Sequence, residues 1–266
     1  MKAVIYSNKG PVREHNEDAL FAAGNIISGS SMLSPGELNV ESSGGCFVVI
    51  DGMGGYEGGE RAARLVALSF LENAEGWNIP MKDGKDKVNR ILSSAVRHIS
   101  ETVAGKPDLS SMGAALAGIA FCVDGTLVFN CGDCRVYRQQ GEYLERLSHD
   151  HSVVQELCDR GEIDEEAMRT HPLKNKVTAC VSSDASFIDI YFREVPQAQR
   201  SQRFFICSDG VWEALSIDVL EECLAGKTMS GGAEDLSKKL FSLQGKCQDN
   251  VSFLIVDKNS NTNHES

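Results

Sequence analysis

The sequence has 266 residues, 42% apolar and 24% charged, which is ordinary globular usage and excludes a chain disordered throughout. Against 26 Lys+Arg stand 38 Asp+Glu, a formal charge of −12, which argues against nucleic acid or an anionic membrane surface as partner and leaves cations, metals and basic peptides open. Nine cysteines, an odd number that includes Cys46, Cys180 and Cys207 in apolar runs, read as reduced thiols of a cytoplasmic protein with no disulfide framework.

From the N-terminus, Ala3 to Tyr6 predicts a short strand that turns polar at Ser7, too soon for a leader peptide. Residues 24–45 are rich in Gly and Ser around Pro35 and predict an exposed loop or hairpin insertion. Cys46 to Ile50 predicts a buried strand, and Glu60 to Leu71 a packed helix. Val88, Ile91, Leu92, Ala95, Val96, Ile99 and Val103 follow helical spacing and predict an amphipathic helix, broken at 105–111 by Gly105, Pro107 and serines. Strands are predicted at Ala114–Cys122, Thr126–Cys131 and Arg135–Gln139, the first two joined by a tight turn at Asp124-Gly125. Ser152 and Gln155 predict a capped short helix ending near Gly161. Further strands are predicted at Phe187–Phe192, Arg203–Cys207 and Val251–Val256, with helices at Ile217–Leu224 and Ala233–Leu243. Helical pairs early and late with strands between them indicate an α+β fold with antiparallel pairing. No apolar run reaches the roughly 18 residues of a membrane span. The expected organisation is one domain over 1–256 and a polar tail over 257–266.

Chemistry concentrates at strand edges. Asp51-Gly52-Met53-Gly54-Gly55 follows the strand at 46–50, and so many glycines around one carboxylate favour a ligand site over a plain turn. The dinucleotide fingerprint fails, because its sixth position is Glu57. Ser208-Asp209-Gly210 follows a second apolar strand, Asp249-Asn250 precedes a third, and Arg13-Glu14-His15-Asn16-Glu17-Asp18 follows the first. One Asp at a strand end is ordinarily a turn residue. Four acidic positions in four segments fit a convergent cluster, which needs protons or cations among its charges. Oxygen ligands without His or Cys favour Mg²⁺ or Mn²⁺ over Zn²⁺. Arg13 beside them offers a fork suited to a phosphate oxyanion, its alternative being a surface ion pair. Cys131-Gly132-Asp133-Cys134 invites a redox or zinc reading, but no second such string exists, and core thiols are the better account. Trp77 and Trp212 read as packing residues.

The segments REHNEDA (13–19), VVIDGMGGYEGGERAA (48–63), FNCGDCRVYR (129–138), LSHDHSVVQELCDRGEI (147–163), HPLKNKVT (171–178), FFICSDGVWEAL (204–215) and CQDNVSFLIV (247–256) occur in the order found in the metal-dependent serine/threonine protein phosphatases of type 2C. The chain resembles the compact bacterial form of that family over nearly its whole length. The resemblance implies a four-layer α-β-β-α sandwich of two antiparallel sheets flanked by helix pairs. It implies that Asp51 bridges two manganese or magnesium ions, with the Gly52 carbonyl, Asp209, Asp249 and Glu17 as further ligands. Asp18 would stand close behind, and Arg13 would bind the substrate phosphate. Asp51 and Asp209 are the expected catalytic pair, with a water between the metals attacking phosphorus in line. The segment from His149 to about Ser183 corresponds to the family's flap beside the site.

Departures accompany the match. Many eukaryotic members carry His after the Asp-Gly pair, where this chain has Met53, so the general acid is unassigned; His15 and water are the alternatives. Met53 also removes the second Asp that would make Asp51 a phosphate-accepting nucleophile. The family's Gly-Thr-Thr is Gly113-Ala114-Ala115, which predicts looser local strand pairing. A third metal, as in bacterial relatives, has only Asp108 as an offset candidate. The expected function is hydrolysis of phosphoserine and phosphothreonine on proteins phosphorylated by a bacterial Ser/Thr kinase, by a cytoplasmic monomer. A non-catalytic phosphoprotein-binding module and a small-molecule phosphomonoesterase are the alternatives.

Overall fold

An unbroken apolar run such as Cys46–Ile50 is stable in a strand only if both faces of its sheet are covered. The computed structural model describes residues 1–41, 44–55, 57–184, 188–198, 201–243 and 247–258, and there those five residues are fully buried. The strands are β1 (Lys2–Asn8), β2 (Ala19–Ala22), β3 (Asn25–Ser28), β4 (Gly36–Asn39), β5 (Gly45–Met53), β6 (Gly113–Phe121), β7 (Gly125–Cys131), β8 (Arg135–Gln140), β9 (Tyr143–Arg146), β10 (Val181–Ser182), β11 (Tyr191–Pro196), β12 (Gln202–Cys207) and β13 (Val251–Lys258). The helices are α1 (Gly58–Leu71), α2 (Met81–Val103), α3 (Val153–Asp159), α4 (Glu165–Met168), α5 (Asp209–Trp212), α6 (Ile217–Leu224) and α7 (Met229–Ser242).

Among the described residues these strands form two antiparallel sheets. One has the order β4-β1-β13-β12-β8-β9; the other runs β11-β7-β6-β5-β2-β3, with β10 added beside β6. Alternate side chains of the two sheets meet between them, where Leu20, Phe47, Val49, Ile206 and Leu254 are fully buried. Phe121 of one sheet meets Phe204 of the other edge-on, ring centroids 5.8 Å apart. The outer face of the β5 sheet is covered by α1 and α2, and that of the β13 sheet by α6 and α7. The expected α-β-β-α sandwich is the observed one. β1 pairs with β13 from Lys2 opposite Asp257 to Asn8 opposite Val251, so the chain's early and late segments share one ladder.

Local signals explain most element boundaries. Ser152 Oγ accepts from Gln155 N at 3.2 Å, and α3 gives way at Gly161, whose φ is +71°. Asp124 of the β6–β7 turn accepts from Met81 N at 2.8 Å, so the turn also caps α2. α7 begins four residues before the predicted Ala233, because Thr228 caps it by accepting from Gly231 N.

Three expectations change. Residues 24–45 are not one loop, since β3 and β4 each extend a sheet edge, on β2 and β1. The strand predicted at Phe187–Phe192 begins at Tyr191 and runs to Pro196; Phe187 lies outside the described residues. Pro196 is tolerated because β11 is an edge strand, whose outward N–H positions need no partner. Asp257 and Lys258, assigned to the tail, continue β13, while 259–266 lie outside the described residues. No helix among the described residues is long and apolar enough to cross a membrane.

Phe70 carries the attachment of α1 to its sheet: it is fully buried, stacked on Phe129 at 6.0 Å and tilted against Phe21 at 5.7 Å. Phe70→Ala is expected to cost about 3–5 kcal/mol of unfolding free energy, read from the shift of the denaturant midpoint at unchanged slope.

Candidate active site

Two loops reach the same end of the sandwich because buried amides hold them there. Asn250 donates to the carbonyls of Lys9 at 3.0 Å and His15 at 2.8 Å, and its Oδ1 accepts from Glu17 N at 2.8 Å. Asn16, also buried, donates to Ser7 Oγ at 2.8 Å and Ser30 O at 2.7 Å. The segment before β2 is thereby tied to the start of β13, and Glu17 and Asp18 face Asp209 and Asp249. Asn250, next to Asp249, carries the ordinary loop-bracing signature of Asn beside Asp, whereas Asn16, between His15 and Glu17, carries none that singles it out.

Asp51 does not sit just beyond its strand. β5 continues through it to Met53, with Asp51 opposite Ala115 and Gly52 opposite Ala114. A Cβ at Gly52 would stand 2.1 Å from Gly59 O and 2.6 Å from Glu17 O, so only glycine fits between β5 and the start of α1. A Cβ at Gly59 would meet Glu17 Oε2 at 2.4 Å and Gly52 O at 2.8 Å, so the Glu17 carboxylate and the Gly52 carbonyl converge beside that glycine. The hydroxyl-free Gly113-Ala114-Ala115 keeps its ladder to β5, and β10 pairs with it at Gly113 and Ala114; the looser pairing expected there is absent.

The electrostatics follow from burial. Asp51 and Asp209 are hydrogen-bonding neighbours, and both are pushed far above the usual carboxylate range, first by burial. Asp51 is raised further by Asp209 and Asp18, and Asp209 by Asp133 and Asp249. Asp18 is raised from 3.8 to about 7, mainly by burial; Ser208 Oγ donates to its Oδ2 at 3.0 Å, while its Oδ1 is buried without a hydrogen-bond partner. Glu17 is raised by burial and lowered in part by Arg13. Arg13, about half exposed, donates to Asp249 Oδ2 at 2.6 Å. Asp249 thus faces a cation, while Asp51, Asp209 and Asp18 face mainly other acids.

Asp133 is the acidic residue that the C-x-x-C string concealed. It is buried, raised from 3.8 to about 7 by burial and by Asp150, and adds to the charge felt by Asp209. Its flanking Cys131 and Cys134 are fully buried and their thiols are pushed up, which disfavours the thiolate that redox or zinc chemistry needs. All nine cysteines are free. Met53 packs against the inter-sheet core, and Asp108 stands exposed on a 3-10 turn at 107–109, in none of the contacts described for the cluster. The flap region is moored beside the site: Asp150 pairs with Arg135, His151 N donates to Gly132 O, and Lys174 pairs with Glu213, whose charge also raises Asp209.

All-oxygen donors, a converging carbonyl and carboxylate, and an orphaned buried oxygen on Asp18 suit a hard divalent cation. Among the described residues no three of these side chains yet stand in the tight convergence of a closed coordination shell.

The family model for protein phosphatase 2C matches residues 36–241. The chain belongs to the protein phosphatase 2C family. The serine/threonine phosphatase stp of Listeria innocua is 26% identical over 264 residues, covering 97% of this chain and 96% of that protein. The serine/threonine protein phosphatase PstP of Mycobacterium tuberculosis is 27% identical over 253 residues, 94% of this chain but 44% of that protein's length. The crystal structure of M. tuberculosis PstP/Ppp superposes with a TM-score of 0.77 at 25% identity, covering 96% of this chain and 97% of that one. The fold is also shared with the PstP catalytic domain in complex with two manganese ions, at a TM-score of 0.74 and 23% identity, covering 96% and 98%. The 2C phosphatase family is thus reached from motif order and from fold alike.

The raised carboxylates of this 2C phosphatase set a sign for stability against pH. Where the unfolded chain ionises near pH 4 and the folded chain keeps its proton to about 7, as at Asp18 and Asp133, stability falls across that window. Asp159, held down by hydrogen bonds from Gln155 and His149, and Glu145, held down by Arg138 and Arg193, act with the opposite sign at lower pH, below the usual carboxylate range. In excess chelator the melting temperature is expected to be higher at pH 5 than at pH 7.5; an equal or reversed order would show that the cluster is not the dominant titrating unit.

Proposed function

We propose that this chain hydrolyses phosphoserine and phosphothreonine in proteins, using two divalent metal ions, manganese or magnesium, held by Asp51, the Gly52 carbonyl, Asp209, Asp249 and Glu17. The observation that carries the reading is that buried acidic side chains from four separate segments raise one another, while the Gly52 carbonyl converges with the Glu17 carboxylate beside Gly59. Bound there, such ions supply Lewis-acid activation of water and neutralise charge on the transferring phosphoryl group.

The chain's own residues do the rest. Asp51 and Asp209, from opposite sheets, orient the site from two sides. Asp18 stands behind them, its Oδ2 fixed by Ser208 and its Oδ1 free to accept. Asn250 fixes the backbone that carries Glu17. Arg13 is exposed enough to meet a substrate and can exchange its bond to Asp249 for one to a phosphate oxygen. Met53, half-buried against the inter-sheet core, has no proton to give, so the proton for the departing seryl or threonyl oxygen is left to His15 or to water.

We read residues 1–258 as one catalytic unit, supported by the β1–β13 ladder that closes it. Nine free thiols support a reducing, cytoplasmic setting. The substrates are taken to be proteins phosphorylated by a Ser/Thr kinase, and the chain to act as a monomer. Manganese titration on a phosphothreonine peptide tests the reading. Asp209→Asn is expected to lower turnover by roughly a hundredfold or more, a loss of several kcal/mol of transition-state stabilisation, with an unchanged circular dichroism spectrum. Full turnover in excess chelator would overturn the metal assignment, and phosphopeptide binding without turnover would favour a non-catalytic module.

A further inference from the structure

Asp209 and Trp212 share one helical turn, α5, which is too short to hold its own orientation by backbone hydrogen bonding. Something else must fix the direction in which Asp209 points. The indole of Trp212 donates from Nε1 to the carbonyl of Asp133 at 2.9 Å. The guanidinium of Arg135 lies over the same ring, 3.5 Å from its centroid. Arg135 is in turn fixed by Asp150, with Nε and Nη2 donating to Oδ2 at 2.9 and 2.7 Å; the two side chains are 5% and 0% exposed. Asp150 belongs to the beginning of the flap region.

Trp212 is buried in the apolar core beneath α6 and α7, but one side of it borders a pocket. A half-open pocket of about 440 Å³ lies against Trp212 and Arg135, lined on one side by Leu144, Leu215 and Leu220 and on the other by charged residues such as Arg146, Glu165 and Arg169. A side chain with open space beside it can swing unless directional contacts hold it. Here the directional contacts are polar: one hydrogen bond at the ring's edge and one guanidinium on its face.

We propose that Arg135 and Trp212 are positioning residues for Asp209, through which the flap-borne Asp150 sets the geometry of the acidic cluster. Neither touches substrate; both act through α5. The inference rests on the reading of Asp209 as a metal ligand, and it adds a route by which displacement of the flap's base alters metal affinity from outside the ligand set.

The test measures Mn²⁺ affinity of the chelator-stripped protein by calorimetry, alongside its metal-free melting temperature. Trp212→Phe keeps an aromatic face for Arg135 while removing the Nε1–H donor and one ring of the buried indole. Arg135→Lys keeps a cation for Asp150 and removes the planar stack. Each is expected to weaken Mn²⁺ binding by roughly tenfold, the effect typical of losing a group that orients a metal ligand. Because both act on one ring, the double variant is expected to lose less than the product of the two single losses. Metal-free melting of Trp212→Phe is expected to fall because of the smaller ring, so the titration is run well below that melting temperature, where a change in affinity is not a general loss of structure. Unchanged affinity in Trp212→Phe, or fully multiplicative losses in the double variant, would overturn the proposal. Asp209→Asn is the control: if it binds Mn²⁺ as tightly as wild type, the ligand assignment fails first, and this inference with it.

Discussion

Burying carboxylates against one another costs free energy unless a proton or a cation stands among them. The two sheets bring theirs together at one end of the seam between them. Asp51 comes from β5 and Glu17 and Asp18 from the approach to β2, all in one sheet; Asp209 follows β12 and Asp249 precedes β13 in the other. The site therefore exists only while the sheets hold their relative placement. The inter-sheet layer, with Phe121 edge-on to Phe204, is as much part of the site as the acids are.

The cost of that gathering is offset locally by a polar frame. Ser7, Ser208 and Ser252 form a buried chain in which Ser252 Oγ donates to Ser7 Oγ at 2.9 Å and Ser252 N to Ser208 Oγ at 3.1 Å. Asn16 and Asn250 extend it to the loop bearing Arg13 and Glu17. Asn16 and Asn250 satisfy backbone groups of the acidic loop, at Asp18 N, Glu17 N and the His15 carbonyl, so the loop is braced without a core of its own. One consequence is that the acids' orientation is specified by neutral residues, which carry no charge to screen the cluster.

Much of this was legible before any coordinates. Apolar runs gave β5, β12 and β13, and an acid at their edges gave Asp51, Asp209 and Asp249. Helical spacing in α2 and the Ser152 cap of α3 were readable because periodicity and capping are local. Edge strands were not: Asn25-Ile26-Ile27-Ser28 and Gly36-Glu37-Leu38-Asn39 carry too few apolar residues to show alternation, and they form because β2 and β1 offer them a ladder. β9 and the single turn α5 escaped for the same reason of length. Asp133 was hidden by its neighbours, since two cysteines drew attention while the property that matters, its burial near Asp209, is set by residues far away in sequence.

The thiols divide by region. Cys158, in α3, and Cys180, just before β10, are the two partly exposed ones; the other seven are buried in strands, helices and the turns between them. A thiol-reactive dye on the native protein is expected to reach these two positions of the flap region before the buried thiols of the sandwich. The unmodified sequence thus carries its own pair of attachment points for distance measurements across the flap.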